Sequence, residues 1–324
     1  MRNNIFFFLF LIFFISCTPE TVTGNDDESE QTNDNSADED NVNDETDQTT
    51  GTTDDESEDN GDYKLVWQDL FDSEELDESV WNIEVNGNGG GNNELQYYSG
   101  NNVSIGTEPE TGKHCLILTA KKESYQGKSA TSGRINSKGK KYFKYGRIEA
   151  SIKLPKTANG LWPAFWMMGN DYDQVGWPKC GEIDIMEMGH SNGIQNQKQE
   201  FYFNGACHWG YYKNGTYPNY SKSATSEYSL QDDFHLYTLE WTEDYIRMYL
   251  DIDKYPNVQP YYEMSLVDEG DDWDTGKYFR KEFFLLFNLA VGGNFTGIHN
   301  IDGVTALNSG DARMYVDFIK VYQK

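Results

Sequence analysis

Three acidic residues lie in one short apolar stretch at a spacing suited to acid–base chemistry. Glu182, Asp184 and Glu187 belong to the segment GEIDIMEMG, residues 181–189, where their neighbours are isoleucine and methionine. Such neighbours are typical of a β-strand. On a regular strand Glu182 and Asp184 share one face, whereas Glu187 falls on the other. A half-exposed strand whose acids face water is the simplest interpretation, but it leaves the large apolar neighbours unexplained.

An extra residue in the strand would return Glu187 to the face of the other two acids. A β-bulge at Ile185–Met186 has this effect, because two residues then oppose one on the partner strand. Hydrolysis of a glycosidic bond with retention needs two carboxyl groups about 5–5.5 Å apart, one as nucleophile and one as general acid and base. Asp184 between them raises the cost of ionising all three groups, which favours a protonated Glu187 and lets Asp184 orient Glu182. The spacing therefore predicts a bulged catalytic strand.

That strand needs a sheet, and the chain from residue 62 onward supplies many further strands. Short β-rich runs recur between turn signals, and no stretch keeps a convincing helical period over three turns. The Gly-rich segment 86–93 is expected to be a loop, since the strand-to-helix context of a phosphate site is missing. We predict an all-β fold, a jelly-roll β-sandwich of two antiparallel sheets with a concave substrate cleft.

Alternation assigns faces in two of these strands. In residues 145–154, one face is predicted to hold the apolar residues Ile148, Ala150, Ile152 and Leu154. For the last strand, regular alternation predicts one face with Met314, Val316, Phe318 and Lys320. The opposite face would then hold Tyr315, Asp317, Ile319 and Val321.

The amino-terminal part is predicted to contain a signal segment for export and a linker. Residues 1–17 contain an apolar run of eleven residues, too short to span a bilayer but suited to a signal segment, and they end in Cys17. Cys17 resembles the acceptor cysteine of bacterial lipoproteins, although an ordinary secretory peptide with a stray cysteine is the alternative. Residues 18–61 hold 17 acids and no Lys, Arg or aromatic residue, which predicts a disordered acidic linker. Residues 62–324 are then one catalytic domain.

Composition argues against several classes of protein. The full chain has a net charge of −28, but from residue 62 onward 37 acids face 25 bases, a net charge of −12. We expect no nucleic-acid partner, and the missing CxxC and HExxH patterns argue against a zinc enzyme. Three cysteines remain in the domain, and a Cys180–Cys207 disulfide and free buried thiols both stay open.

The sequence resembles glycoside hydrolase family 16, in its endo-β-1,3-glucanase (laminarinase) branch. The motifs that carry the resemblance are NNELQYYS, TSGRINSKGKKYFKYGRIEASIKLP, GLWPAFWMMG, GEIDIMEMG, GACHWG and NLAVGGNFTG, spread over nearly all of 62–324. The shorter E-x-D-x-E pattern of bacterial lichenases, which lacks the bulge, is not present. The resemblance implies a retaining mechanism with Glu182 as nucleophile, Asp184 as helper and Glu187 as acid/base.

The resemblance also implies the sugar-binding residues. It assigns Trp162, Trp166 and Trp177 to the cleft, where flat rings bury the faces of pyranose rings. Core packing is the alternative for each tryptophan. The polar residues that it assigns to sugar contact near the cleavage point are Asn93, Glu94, Arg134 and His208. For Arg134 a structural salt bridge is an alternative, and for His208 a buried histidine with satisfied hydrogen bonds.

Many members of the family bind calcium away from the acids. The matching positions are the carbonyl groups of Leu70 and Gly112 and the side chain of Asp317, and oxygen ligands suit calcium. An outward-facing strand residue is the alternative for Asp317. No cofactor is expected for the chemistry itself.

These observations predict a monomeric endo-β-glucanase that cleaves internal β-1,3 bonds, including those of mixed β-1,3-1,4 chains. The domain has no Lys/Arg cluster near the catalytic strand, which favours a neutral glucan over a sulfated polymer. Another specificity of the same family, such as agarase or porphyranase, and a non-catalytic glycan-binding lipoprotein remain alternatives. We expect an outer-membrane lipoprotein on a bacterial surface, or else a secreted protein, with a lipid anchor as the only link to the membrane.

Overall fold

The structure, a computed structural model, describes residues 63–268 and 270–324, and strands dominate it. The predicted signal segment 1–17 with Cys17 and the predicted linker 18–61 lie outside these residues. Within the described part of the chain, no helix has the length and apolar character that a membrane crossing requires.

The strands are β1 (Lys64–Asp69), β2 (Asn82–Ile83), β3 (Gln96–Tyr98), β4 (Val103–Thr107), β5 (His114–Ala120), β6 (Ala130–Ser132), β7 (Arg134–Asn136), β8 (Tyr142–Phe143) and β9 (Gly146–Lys153). They continue with β10 (Leu161–Gly169), β11 (Glu182–Met188), β12 (Tyr202–His208), β13 (Asn219–Thr225), β14 (His235–Trp241), β15 (Tyr245–Leu250), β16 (Tyr262–Ser265), β17 (Phe283–Val291) and β18 (Ala312–Gln323). The helices are short: α1 (Tyr172–Val175), α2 (Ser191–Gln195) and α3 (Gly276–Phe279).

Two eight-stranded antiparallel sheets form the sandwich. The back sheet has the order β16-β15-β14-β9-β18-β5-β4, with β1 also paired to β18. The cleft sheet has the order β13-β12-β11-β10-β17-β7-β2, with β8 also paired to β17. A separate parallel pair joins β3 and β6. This arrangement confirms the predicted jelly-roll sandwich and places the acidic strand β11 inside the cleft sheet.

The core lies between the two sheets, and strand β17 shows why it forms. All nine residues of its sequence FFLLFNLAV are buried. Phe283, Phe287 and the other alternate residues enter the core between the sheets, whereas Phe284 and Leu286 belong to a smaller apolar cluster that includes Trp166. Phe287 stacks on Phe165 of β10 with 4.7 Å between ring centroids. Burial of each such side chain contributes about 1.5–3 kcal/mol, so β17 stabilises both layers.

The alternation predicted for residues 145–154 is confirmed, but that predicted for the last strand is wrong beyond its first half. Met314 and Val316 point into the core as expected, yet Ile319 and Val321, assigned to the other face, are core residues too. The register between β18 and β9 shifts between Val316 and Phe318, as a β-bulge does. The bulge moves the later apolar residues back to the core side.

The cysteines of the described residues settle the open disulfide question. Cys115, Cys180 and Cys207 are all buried and free. Cys207 packs in the main core, whereas Cys180 belongs to the smaller cluster on the cleft side. The thiols act as small apolar side chains, and burial raises the pKa of Cys180 to about 12.

Candidate active site

The predicted bulge is present in β11. Along β10, Phe165 pairs with Met186 and Trp166 pairs with Asp184, so that Ile185 has no partner. Ile185 and Met186 are both fully buried in the core. Two consecutive side chains therefore point inward, and Glu187 returns to the cleft face. Tyr261 donates its hydroxyl to the carbonyl oxygen of Ile185, which gives the bulged backbone a hydrogen-bond partner.

The three acids line one cleft of about 950 Å³ on the outer face of the cleft sheet. One carboxylate oxygen each of Glu182 and Asp184 and one ring nitrogen of His208 lie within 4.8 Å of one another. The distance from His208 Nε2 to Asp184 Oδ2 is 3.3 Å, but its angle does not make a hydrogen bond, and this oxygen has no hydrogen-bond donor among the described residues. The acids are thus packed together with few partners of their own.

Burial raises the pKa of all three carboxyl groups. The pKa of Glu182 rises to about 8 through burial and the nearby Asp184 charge, and His208, Trp177 and Arg134 counteract this rise. Burial also raises the pKa of Asp184 to about 8. For Glu187, burial and the Asp184 charge raise the pKa well above its usual range. Because Glu182 is only half-buried and the Arg134 charge, in addition to that of His208, lowers its pKa, we infer that it ionises more readily than Glu187.

Glu182, Asp184 and His208 are the one group of three acidic, imidazole or thiol donors in the described residues close enough to hold a metal ion. A metal requires deprotonated ligands. Since burial raises the pKa of both carboxyl groups to about 8, a metal would have to displace protons from them, and the trio is better suited to proton chemistry than to metal binding.

The three predicted tryptophans line the cleft. Trp162 stacks on Phe295 with 4.5 Å between ring centroids and 10° between planes, and its Nε1 donates to Glu187 Oε1 over 3.0 Å. Trp166 donates from Nε1 to Asn288 Oδ1 over 2.7 Å. These hydrogen bonds fix both indole planes. The half-buried Trp162 ring can act as a rigid platform for sugar, whereas Trp166 is 8% exposed and packs in the smaller apolar cluster.

Trp177 stands at the Glu182 side of the cleft. Its ring meets Tyr217 edge-on, with 4.8 Å between ring centroids. The Tyr217 hydroxyl in turn lies 3.3 Å from His208 Nδ1. The indole N–H of Trp177 lowers the pKa of Glu182, although it does not reach full hydrogen-bond geometry. These aromatic rings form the wall beside the predicted nucleophile.

Arg134 and His208 lie in the cleft, where each also has a structural partner. Arg134 Nε donates to Glu84 Oε1 over 2.9 Å, and the guanidinium group lies 4.9 Å from the centre of a Trp166 ring. The predicted salt bridge and the predicted cleft position of Arg134 are therefore both present. His208 faces Asp184, so it is half-buried in the acidic cluster rather than in the core.

Glu94 lines the cleft but is 5% exposed, because Gln96 and Tyr98 both donate hydrogen bonds to its Oε2. A side chain on Gly90 could not fit beside it, since a Cβ there would approach Glu94 Oε1 to 2.3 Å. Glu94 therefore anchors the Gly-rich loop over the cleft rim.

Asn93 lies at the edge of the cleft, where its Nδ2 donates to Oδ1 of Asn294, a residue that lines the cleft. Asn93 has a positive φ of 58°, which turns its side chain to Asn294 and toward a neighbouring hollow beside Tyr125 and Lys128. Asn92 lines the cleft in its place. The contact of Asn93 with sugar stays a prediction.

Several cleft residues were not predicted from the sequence. They are Glu84, Asn136, Asn204, Tyr217, Asn288 and Phe295. Asn204 and Asn288 had a usable signal, because each is a lone polar residue within an apolar strand, FYFNGAC and FFLLFNLAV. Glu84 precedes no recognisable motif, and only the fold brings it to Arg134.

The predicted calcium ligands do not form an open site. Lys113 Nζ forms an ion pair with Asp317 Oδ2, and the Ser151 hydroxyl lies 3.3 Å from the same oxygen. Leu70 is exposed, and Gly112 lies in the turn before β5. A cation at Asp317 would have to displace the Lys113 ammonium group, so the residues as arranged do not fit calcium.

Comparison with known proteins agrees with this geometry. The model of glycosyl hydrolases family 16 matches residues 91–267. The clotting factor G alpha subunit of Tachypleus tridentatus is 34% identical over 81% of this chain, which spans only 34% of that protein. A family 16 protein of a Bacteroides ovatus mixed-linkage glucan locus, solved with a G4G4G3G product, is 43% identical with a TM-score of 0.68, covering 79% of this chain and 100% of that one. The laminarinase catalytic domain of Thermotoga maritima is 35% identical with a TM-score of 0.65, and the match covers 82% of this chain and 99% of that domain.

Proposed function

The chain belongs to glycosyl hydrolases family 16, and from this premise we propose that it is a retaining endo-β-glucanase acting on internal β-1,3 bonds, including those in mixed β-1,3-1,4 chains. One observation carries the proposal. The bulge in β11 turns Glu182, Asp184 and Glu187 to the same cleft, next to fixed tryptophan rings.

In the first step, the Glu182 carboxylate attacks the anomeric carbon. The bond from this carbon to the glycosidic oxygen breaks, an ester to Glu182 forms, and Glu187 transfers its proton to the leaving oxygen. In the second step, Glu187 accepts a proton from water, whose oxygen attacks the anomeric carbon and releases Glu182. The raised pKa of Glu187 supports its role as the acid, since the group holds a proton near neutral pH.

Asp184 acts through its neighbours. It lies between the two glutamates along β11 and contacts His208. Its charge, when present, raises the pKa of both Glu182 and Glu187. Once this pair of carboxyl groups has lost one proton to solvent, the remaining proton can reside on Asp184, which leaves Glu182 anionic for attack while Glu187 stays protonated.

The cleft supports a neutral polysaccharide as substrate. Phe284, Leu286 and Trp166 supply an apolar floor, and Arg134 is already paired with Glu84 rather than available for a sulfate. The relatives agree with this assignment: one is described with a mixed-linkage glucan product and the other as a laminarinase. An open cleft that exceeds the size of one sugar suits internal cleavage.

The proposal is tested by reducing ends released from laminarin, mixed-linkage β-glucan, agarose and porphyran. We expect wild type to act on the first two, and Glu182→Ala to release almost nothing. Equal release by both proteins would exclude Glu182 as the nucleophile. Cleavage of agarose or porphyran alone would change the substrate, and binding of laminarin without any cleavage would indicate a glycan-binding protein.

We also propose export and anchoring through Cys17, supported by the apolar run before it and the acidic segment 18–61 after it. Expression of wild type and Cys17→Ala in a Gram-negative host tests this. The wild type should partition into detergent and react with surface-applied protease, whereas Cys17→Ala should not partition. Equal behaviour of the two would exclude lipidation.

Sedimentation of the domain 62–324 tests the predicted monomer.

A further inference from the structure

The buried amide of Asn204 is the feature of the cleft that the mechanism above leaves unused. Asn204 lies on β12, is 6% exposed and lines the cleft. Its Nδ2 donates to Ser223 Oγ over 2.8 Å, but its Oδ1 has no hydrogen-bond partner among the described residues. An unpaired buried acceptor destabilises the fold, so its presence needs a physical reason.

The register places this acceptor beside the predicted acid. Asn204 pairs with Glu187 of β11 on one side and with Ser223 of β13 on the other. Directly opposed residues of antiparallel strands share a face, with about 4.5–5.5 Å between their Cβ atoms. Glu187, Asn204 and Ser223 therefore form a row on one face of the sheet, of which Glu187 and Asn204 line the cleft, and Trp162 donates to Glu187 Oε1 on the far side.

We propose that Asn204 contacts substrate: its side-chain oxygen accepts a hydrogen bond from a sugar hydroxyl bound on the β12–β13 side of the bond that Glu187 protonates. This inference rests on the proposed β-glucanase function. A neutral glucan offers hydroxyl donors along its whole length, and a hydroxyl both fits and satisfies a lone amide oxygen. A sugar whose hydroxyl is replaced by a sulfate ester at this position has no proton to donate there. Asn204 therefore also selects for an unsubstituted sugar.

The contact explains why the site tolerates an unpaired acceptor. Substrate binding gives Oδ1 a hydrogen-bond donor when water leaves the cleft. The free-energy cost of the unpaired acceptor in the free protein is then removed, which strengthens substrate binding. Ser223 holds the amide in place through Nδ2, which limits the rotation that would otherwise carry Oδ1 away.

Asn204→Leu tests the proposal, because leucine keeps the shape of asparagine and removes both polar atoms. We expect kcat/KM on laminarin oligosaccharides to fall about tenfold or more, the loss of one hydrogen bond to a buried group. In a Glu182→Gln background, oligosaccharide binding measured by calorimetry should weaken by a similar factor. The melting temperature should stay level or rise, since the unpaired acceptor has gone. Ser223→Ala should give a smaller loss, and Asn257→Leu, the same exchange at an exposed site, should give none.

Three results would overturn the inference. Unchanged kcat/KM and binding in Asn204→Leu would exclude a substrate contact. A shifted alkaline limb of the pH profile with unchanged binding would mean that Asn204 acts through Glu187. If Asn204→Leu and Asn204→Ser both lower the melting temperature while the folded fraction keeps full activity, the role of Asn204 is structural. If wild type cleaves no β-glucan, the proposed function itself fails, and that outcome is separate from all three.

Discussion

The indole Nε1 of Trp162 donates a hydrogen bond of 3.0 Å to Oε1 of Glu187. The same ring stacks on Phe295 and lines the cleft, so one side chain both contacts the predicted acid and offers a face to sugar. This bond favours the charged form of Glu187 and thereby lowers its pKa, against the upward effect of burial.

Trp162→Phe should therefore shift the pH dependence of catalysis. Phenylalanine keeps a ring next to Phe295 but removes the N–H, so the pKa of Glu187 should rise and the alkaline limb of kcat/KM should move to higher pH. Activity at the optimum should also fall, because Glu187 loses an orienting partner. Phe295→Leu serves as the contrast, since it removes the stacking and leaves the hydrogen bond: activity should drop without a shift of the limb. Identical profiles for wild type and Trp162→Phe would disprove the link.

The two glutamates should respond differently to the leaving group. A 2,4-dinitrophenyl leaving group needs no proton, so Glu187→Ala should form the glycosyl-enzyme at a rate near that of wild type and then turn over slowly. Glu182→Ala should lose about a thousandfold or more on every substrate. Added azide should restore Glu182→Ala by forming a glycosyl azide of inverted configuration. The same response of both variants to the activated substrate would contradict the assigned roles.

The buried acids should make the folded protein less stable as pH rises. In the folded state Glu182 and Asp184 keep their protons to about pH 8, whereas the unfolded chain releases them near pH 4. Between these values the folded state binds more protons, so the free energy of unfolding falls as pH increases. Glu187→Gln removes one of the crowded acids and should raise the melting temperature more at pH 8 than at pH 5.

Melting curves at both pH values measure this effect, and each kcal/mol corresponds to about 2–4 °C for a domain of this size. Glu263→Gln is the matched control, because Glu263 is an exposed acid of the back sheet that pairs with Arg247. A pH-independent gain, or an equal gain in the control, would argue against strained carboxyl groups in the cleft.

The Lys113–Asp317 ion pair predicts how the protein responds to calcium. With the Lys113 ammonium group on Asp317, calcium should change the melting temperature of wild type little. Lys113→Ala frees the carboxylate and should allow calcium to stabilise the fold by mass action. Lys122→Ala, which breaks an exposed pair with Asp302, is the control. If calcium strongly stabilises wild type and a chelator reverses the effect, the calcium site predicted at Leu70, Gly112 and Asp317 is present after all.

The sequence supported a correct prediction where an apolar pattern conflicted with chemistry. Glu187 on the buried face of a regular strand would have been too costly, so a bulge in β11 could be predicted without a structure. The bulge in β18 had a weaker conflict, because regular alternation places Lys320 on the same face as Met314 and Val316. Its signal was the change of phase between Met314–Val316 and Ile319–Val321, and reading it requires knowing that both pairs belong to one face.

The cleft contacts were harder to predict because they depend on residues far apart in sequence. Glu84 reaches Arg134 across 50 positions, and Asn288 reaches Trp166 across 122. Asn93 and Asn92 look alike in the sequence, yet Asn92 lines the cleft while Asn93, with its positive φ, lies at the cleft edge. Local patterns fix which residues are buried, whereas pairing of distant strands fixes which of them meet.

The two inward-pointing residues of the β11 bulge have a consequence for shortened versions of the chain. Deleting Met186 would leave E-I-D-I-E, whose acids share a face by plain alternation, with no kink needed. Such a deletion removes one core side chain but leaves the outer glutamates about four strand steps apart, because the bulge already fits the five steps from Glu182 to Glu187 onto the four steps from Met168 to Ala164 of β10. What the bulge provides is therefore one more inward-pointing side chain for the core, at an almost unchanged span between the two carboxyl groups.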